Sequence, residues 1–230
     1  MLAACYRDGN GLRQSYVNMI AMYERACKRS GLNDDETLHE ILDKELESPG
    51  ENHILSLLLP LDYQDIDQIQ PELIERLRKA SPVDMRALNA VRISDEDSGP
   101  KEVLRQLKKS ASEGSEVACI FEVHHLEQQE DVEAYRKALR HHAKRFPEFY
   151  IRRGDSYLLD TDISHKWDPS EKRKLRRAVK YYRRADRWGM LLGVSANNLL
   201  AACTLLESIT NRTVCDSTER ARLEYLASFE

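Results

Sequence analysis

Long apolar runs are what this sequence most plainly lacks. No stretch of its 230 residues approaches the roughly 18 apolar residues of a membrane-spanning helix, so no transmembrane segment is expected. Turn formers are also scarce, with nine glycines and seven prolines, and phenylalanine is rarer still at four. A sandwich or barrel needs turn signals about every 8–12 residues between β-branched or aromatic strands, and neither is supplied. Five scattered cysteines, Cys5, Cys27, Cys119, Cys203 and Cys215, form no CxxC pair. That excludes a zinc-finger spacing and a dense disulfide framework, and the odd count leaves at least one thiol unpaired. No nucleophile elbow or phosphate-binding glycine loop is present. Gly9-Asn10-Gly11 lacks the third glycine and the preceding strand of a dinucleotide fingerprint.

What is present is leucine, alanine, glutamate, lysine and arginine in long stretches, and these favour an all-α fold. A net charge of -4 conceals a division. Residues 1–135 hold 15 Lys and Arg against 27 Asp and Glu, whereas 136–187 hold 17 against 7. Either the surface is dipolar and meets a charged partner, or these are ordinary solvated helix faces. Composition divides the chain into acidic helices over 1–92, a polar linker at 93–101 (ISDEDSGPK) and basic, then neutral, helices over 102–230.

Helical periodicity is clear at both ends. Val17, Ile20, Tyr23 and Ala26 make one stripe, after a turn at Gly9 and Gly11 that calls for positive φ, and small Ala26 is expected where a partner helix approaches closely. Val103, Leu104 and Leu107, then Ala118, Phe121 and Leu126, predict two more helices. Pro147 opens another through Tyr150, Gly154 and Tyr157, and Leu175, Ala178, Val179, Tyr182 and Ala185 form a stripe ending at Gly189. The hairpin ends at Ala26, Ala111 and Ala185 are separated by 85 and 74 residues, near two units each of the roughly 34–45-residue period of helical-pair repeats. The middle, with an apolar run at 53–61 and an amphipathic helix at 65–80, is irregular.

These residues carry a resemblance. LAACYRDGNGLRQSYVNMIAMYERACKRSG at the start resembles a Sel1-like repeat, a subtype of the tetratricopeptide-like helix pair. Ala178-Val179-Lys180-Tyr181-Tyr182-Arg183-Arg184-Ala185 through Gly189 looks like the second helix of another copy. Met19 stands where alanine is usual, Gly31 is displaced by one, residues 159–168 lengthen a turn, and Thr204 to Glu207 lack the tyrosine and glycine. The resemblance implies a right-handed α-α superhelix, five or six helix pairs long and irregular in the middle. It also implies a non-enzymatic scaffold or adaptor that holds a protein partner on its concave face, with no cofactor. Some bacterial members of the family serve as periplasmic scaffolds in exopolysaccharide secretion. Leu2-Ala3-Ala4-Cys5 has the lettering of a lipoprotein processing site without the leader of a signal peptide, but the same four residues recur at 200–203. Periplasm, envelope and cytoplasm all stay open as compartments, and the chain is expected to be a fragment or mature form of a longer protein.

Two constellations offer alternatives. Glu36-x-x-His39 and Glu122-x-x-His125 each put a carboxylate and an imidazole on one helix face, the pattern of a di-iron bundle. His124-His125 and His141-His142 could bind zinc or copper, although adjacent helical residues diverge by about 100° and each pair offers one ligand at most. The other constellation is the basic run 172–187. It sets Arg173, Arg176 or Arg177, Lys180, Arg184 and Arg187 opposite Leu175, Val179 and Tyr182, with Arg183 beside them. These seven are the candidate partner-binding residues, for phosphates or an anionic polysaccharide. A pI of about 6.0 and the lack of a nucleic-acid motif argue against a dedicated nucleic-acid binder. The ordinary alternative is an outer helix face whose arginines pair with acids on neighbouring helices.

Overall fold

The computed structural model describes residues 2–30, 75, 78, 79, 81–92, 99–162 and 168–229. Ten α-helices and no strand are found among them, in agreement with the all-α expectation. They fall into two compact units, Met1–Ala138 and Leu139–Glu230. Glu36, His39, the apolar run at 53–61 and most of the helix expected at 65–80 lie outside the described residues, as do 93–98 of the expected linker.

The first unit begins with a hairpin of α1 (Leu2–Asp8) and α2 (Tyr16–Ser30). Gly9 and Gly11 take φ of 69° and 73°, the left-handed turn that their sequence position predicts. The turn is closed by Asn10 N–H on the Cys5 carbonyl and Ser15 N–H on the Tyr6 carbonyl, at 3.1 and 3.0 Å. Tyr6, Val17 and Ile20 are buried as their spacing requires, but Ala26 is exposed.

Three further helices make the rest of this unit's described core: α3 (Pro82–Arg92), α4 (Pro100–Ser112) and α5 (Glu116–Gln128). Arg86 at the start of α3 pairs with Glu113 beyond the end of α4, at 2.6 Å. His125, late in α5, sets its Nε2 3.1 Å from the carbonyl of Pro100, where α4 begins. Chain neighbours are therefore antiparallel. The N-cap hydroxyl of Ser115 donates to Asp84 in the first turn of α3, so α3 and α5 begin side by side and run parallel. Leu88, Leu107, Val117, Ala118 and Val123 are completely buried between them. α6 (Val132–His142) follows, and the division between the units falls inside it.

The second unit holds the end of α6, then α7 (Phe149–Leu158), α8 (Pro169–Asp186), α9 (Val194–Thr210) and α10 (Ser217–Ala227). Asp168 caps α8 by accepting from Ser170 N–H at 2.7 Å, and Pro169 sits at the first helical position, where its missing N–H costs nothing. The far end closes on Gly189, with φ 69°. Its N–H reaches the Asp186 carbonyl at 2.8 Å, and Met190 N–H reaches Ala185 at 3.1 Å, the paired bonds of a Schellman turn. Leu175, Ala178, Tyr182 and Ala185 are fully buried, as the stripe predicts.

Gly154 sets the spacing of α7 against α8. A Cβ there would lie 2.6 to 2.8 Å from three atoms of the Tyr182 ring, so the ring rests directly on the α7 backbone. The Tyr182 hydroxyl donates to Asp155 at 2.6 Å, and Asn198 of α9 donates to the same oxygen at 3.0 Å. Burial, then the Asp155 carboxylate, hold the Tyr182 phenol far above its ordinary range. Beyond α9, the Glu207 carboxylate accepts the N–H groups of Val214 and Cys215 at 2.8 and 2.9 Å and meets Arg220 at 3.0 Å. These bonds keep Glu207 below the usual carboxylate range.

Gly154→Ala is expected to lower the stability of the protein by about 1–3 kcal/mol through overpacking, despite the better helix propensity of alanine; urea unfolding of the variant at or above wild-type stability would refute the contact. Glu207 gives a second expectation. Its folded pKa is depressed, so its contribution is complete above the ordinary glutamate value of about 4.3 and disappears as pH falls through the lower folded value. The gap in urea midpoint between wild type and Glu207→Gln should thus be wide at neutral pH and close in acid.

Candidate functional site

Three stripes at helical spacing converge in the second unit. α7 contributes Tyr150, Arg153 and Tyr157, at i, i+3 and i+7, and α8 contributes Arg177, Lys180, Tyr181 and Arg184 over the same length. Arg140, in the last turns of α6, and Lys144, just after it, complete the wall. Together they line an open cleft of about 470 Å³ with six cationic side chains, three tyrosines and, among the described residues, no acid.

The tyrosines form the floor. Tyr181 lies nearly parallel to Tyr150 and to Tyr157, with ring centroids 6.4 and 5.8 Å away and interplanar angles of 8° and 16°. Arg153 places its guanidinium carbon 3.8 Å from the Tyr181 centroid and donates to the Tyr181 hydroxyl. Arg184 lies 5.7 and 5.8 Å from the centroids of Tyr150 and Tyr181, and Arg177 lies 5.4 Å from that of Tyr157. Each arginine thus has a π-face to orient its fork, an attraction that strengthens away from water.

Arg153 is the unusual member, because only 8% of it is exposed and no carboxylate lies within ion-pair distance among the described residues. Burial pushes its guanidinium below the ordinary range, and the like charge of Arg140 adds to that, against the tyrosines. Arg140, Lys144, Arg177, Lys180 and Arg184 also make no ion pair with a described residue. Elsewhere in the unit some cations are paired, whereas Lys172, Arg173, Arg176, Arg187 and Arg212 make no ion pair with a described residue either. Arg183, one position from Arg184, holds Glu219 through two bonds of 2.9 and 2.7 Å and the Val214 carbonyl at 2.6 Å. Arg222 grips Asp186, and Lys174 meets Glu171 and the Asp160 carbonyl.

Of the seven residues the sequence nominates, three line the cleft: Arg177, Lys180 and Arg184. Arg183 is committed to α10, Arg173 turns back to the Pro169 carbonyl of its own helix, and Arg176 and Arg187 are exposed outside the cleft. Sequence reasoning missed Arg140, Lys144, Arg153 and the grouping of the tyrosines. The available signal was the same three-and-four spacing at 140/144 and 150/153/157, inside the segment already marked as basic.

The metal alternative has less to stand on. Glu36 and His39 lie outside the described residues, and no group of three or more His, Cys, Asp or Glu among the described residues is arranged to hold an ion. Glu122 is buried in α5, while His125 faces the Pro100 carbonyl and His124 lies 3.1 Å from the Gln128 amide. His141 and His142 meet edge to face at 4.9 Å, with His142 buried near Phe149. Burial also pushes the Cys203 thiol up to about 12, which keeps it protonated at neutral pH.

Against protein-family models, curated proteins and solved structures, the chain finds no match. The charge arrangement carries its own test. Arg183→Ala should cost about 1–2 kcal/mol in urea unfolding, because it strands Glu219 and a carbonyl. Lys180→Gln should leave stability within about 0.5 kcal/mol or raise it, since it relieves repulsion. Equal losses for the two would mean that the cleft cations are structural.

Proposed function

We propose that this chain is a non-enzymatic interaction module built from Sel1-like helix pairs, and that its second unit captures an anionic partner in the cleft between α7 and α8. One observation carries this: six cations converge on three tyrosines with no acid among the described lining residues, while Lys174, Arg183 and Arg222 of the same unit are matched to carboxylates. A fold that needed those charges for packing would pair them. Leaving them unpaired costs self-repulsion, and a ligand of opposite sign relieves it. Adaptors of this kind act by holding other molecules, and no reaction is assigned.

The repeat interpretation has separate support. Arg183–Glu219 and Asp186–Arg222 both join α8 to α10 across a separation of 36 residues and in the same direction. Helices one period apart in a stacked array meet in that way, and 36 falls inside the roughly 34–45-residue period of helical-pair repeats.

The test uses the full chain with polyglutamate, heparin and long-chain polyphosphate as probes. At least one should bind, with affinity falling steeply as salt is raised, and Arg177→Gln/Lys180→Gln/Arg184→Gln should weaken it at least tenfold. Lys108→Gln/Lys109→Gln, exposed on α4, should change it less than twofold. No salt-sensitive binding, or equal losses in the two variants, would overturn the proposal.

A further inference from the structure

The donor inventory of the cleft narrows the ligand. Arginine and lysine carry donors only, and among the described residues of the wall tyrosine hydroxyls are the sole side-chain groups that can also accept. One of those hydroxyls, on Tyr181, is already engaged by Arg153. A peptide laid along this wall would bring a backbone N–H at nearly every residue and find almost nothing to receive it. A nucleobase edge would meet the same shortage. The ligand that fits presents acceptors alone.

Charge density points the same way. Six cations face one space of about 470 Å³. A carboxylate brings one negative charge on a carbon stem that itself takes room, whereas a terminal phosphate brings about -1.5 to -2 at neutral pH and a bridging phosphate a single charge, neither on a stem. Phosphates joined directly to one another are the most compact way to place several charges opposite several forks. Four of the six cations are arginines, whose planar donors match phosphate oxygens in pairs, and three of them, Arg153, Arg177 and Arg184, lie over tyrosine rings. At the bottom, the buried Arg153 offers a charge without a carboxylate partner among the described residues.

We infer that the cleft is a binding site for a condensed phosphate chain, two or more phosphates in anhydride linkage, seated over Arg153 and clamped from the two sides by Arg177, Lys180 and Arg184 and by Arg140. This rests on reading the cleft as an anion site. The chain could be free polyphosphate or the phosphates of a nucleotide, which share the recognised chemistry and differ in what they carry beyond the cleft.

Isothermal titration of the full chain separates these cases, with orthophosphate, pyrophosphate, tripolyphosphate, a nucleoside triphosphate and hexaglutamate as probes, all without magnesium. Tripolyphosphate is expected to bind at least 100-fold more tightly than orthophosphate, with pyrophosphate between, and at least tenfold more tightly than hexaglutamate. A nucleoside triphosphate that binds like tripolyphosphate points to the free polymer, and one that binds tenfold more tightly points to a nucleotide; both support the site. Arg153→Lys keeps the charge but loses the fork, and should weaken tripolyphosphate at least tenfold. Because that variant disturbs packing, Arg177→Gln/Arg184→Gln, on exposed or half-buried positions of α8, is titrated beside it with helicity checked by circular dichroism. Hexaglutamate binding as well as or better than tripolyphosphate overturns the phosphate assignment and leaves the anion module standing. Failure of every probe, including the long polymers, overturns both.

Discussion

The contact between Gly154 and Tyr182 decides how the second unit is built. With no side chain at 154, the Tyr182 ring lies on the α7 backbone, and the two helices approach more closely than any Cβ would allow. Tyr181, the next residue, is then carried to the other side of that seam, parallel to Tyr150 and Tyr157. The cleft is therefore a by-product of core packing. Its tyrosine floor sits where it does because the neighbouring tyrosine is locked, both by the ring contact and by a hydroxyl that shares Asp155 with Asn198 of α9.

α8 shows how one basic helix can carry two opposite kinds of charge. Arg183 is bonded to a carboxylate and a carbonyl and acts as a strut. Arg177, Lys180 and Arg184 have only aromatic faces, or nothing, to balance them among the described residues, and Lys174, one turn before Arg177 on the same side of the helix, is bonded to Glu171 and the Asp160 carbonyl. Counting charges along the sequence treats all of them alike.

That difference measures what the sequence could convey. Helix content, the glycine turn after α1 and the buried stripe of α8 were legible, because each depends on local periodicity and on residues with narrow conformational preferences. Ala26 was misread: it is exposed, and closeness of a partner helix is a property of pairing that spacing along one helix does not contain. The site was legible in part: periodicity places Arg177, Lys180 and Arg184 on one face. It cannot show that Arg183 is taken up by an acid 36 residues later, or that Arg153 becomes buried against the Tyr181 ring. Such facts arise when separate helices meet, and no window of a few turns contains them.

A cleft whose described lining residues include no acid also bears on stability. A cluster of like charges held together by the fold raises the energy of the empty state, and any occupant that binds the folded chain alone lowers it by mass action. Occupant and fold then support one another. For a protein that is only marginally stable, as folded chains are, an anion bound as proposed would raise how much of the chain persists, with degradation removing what stays unfilled.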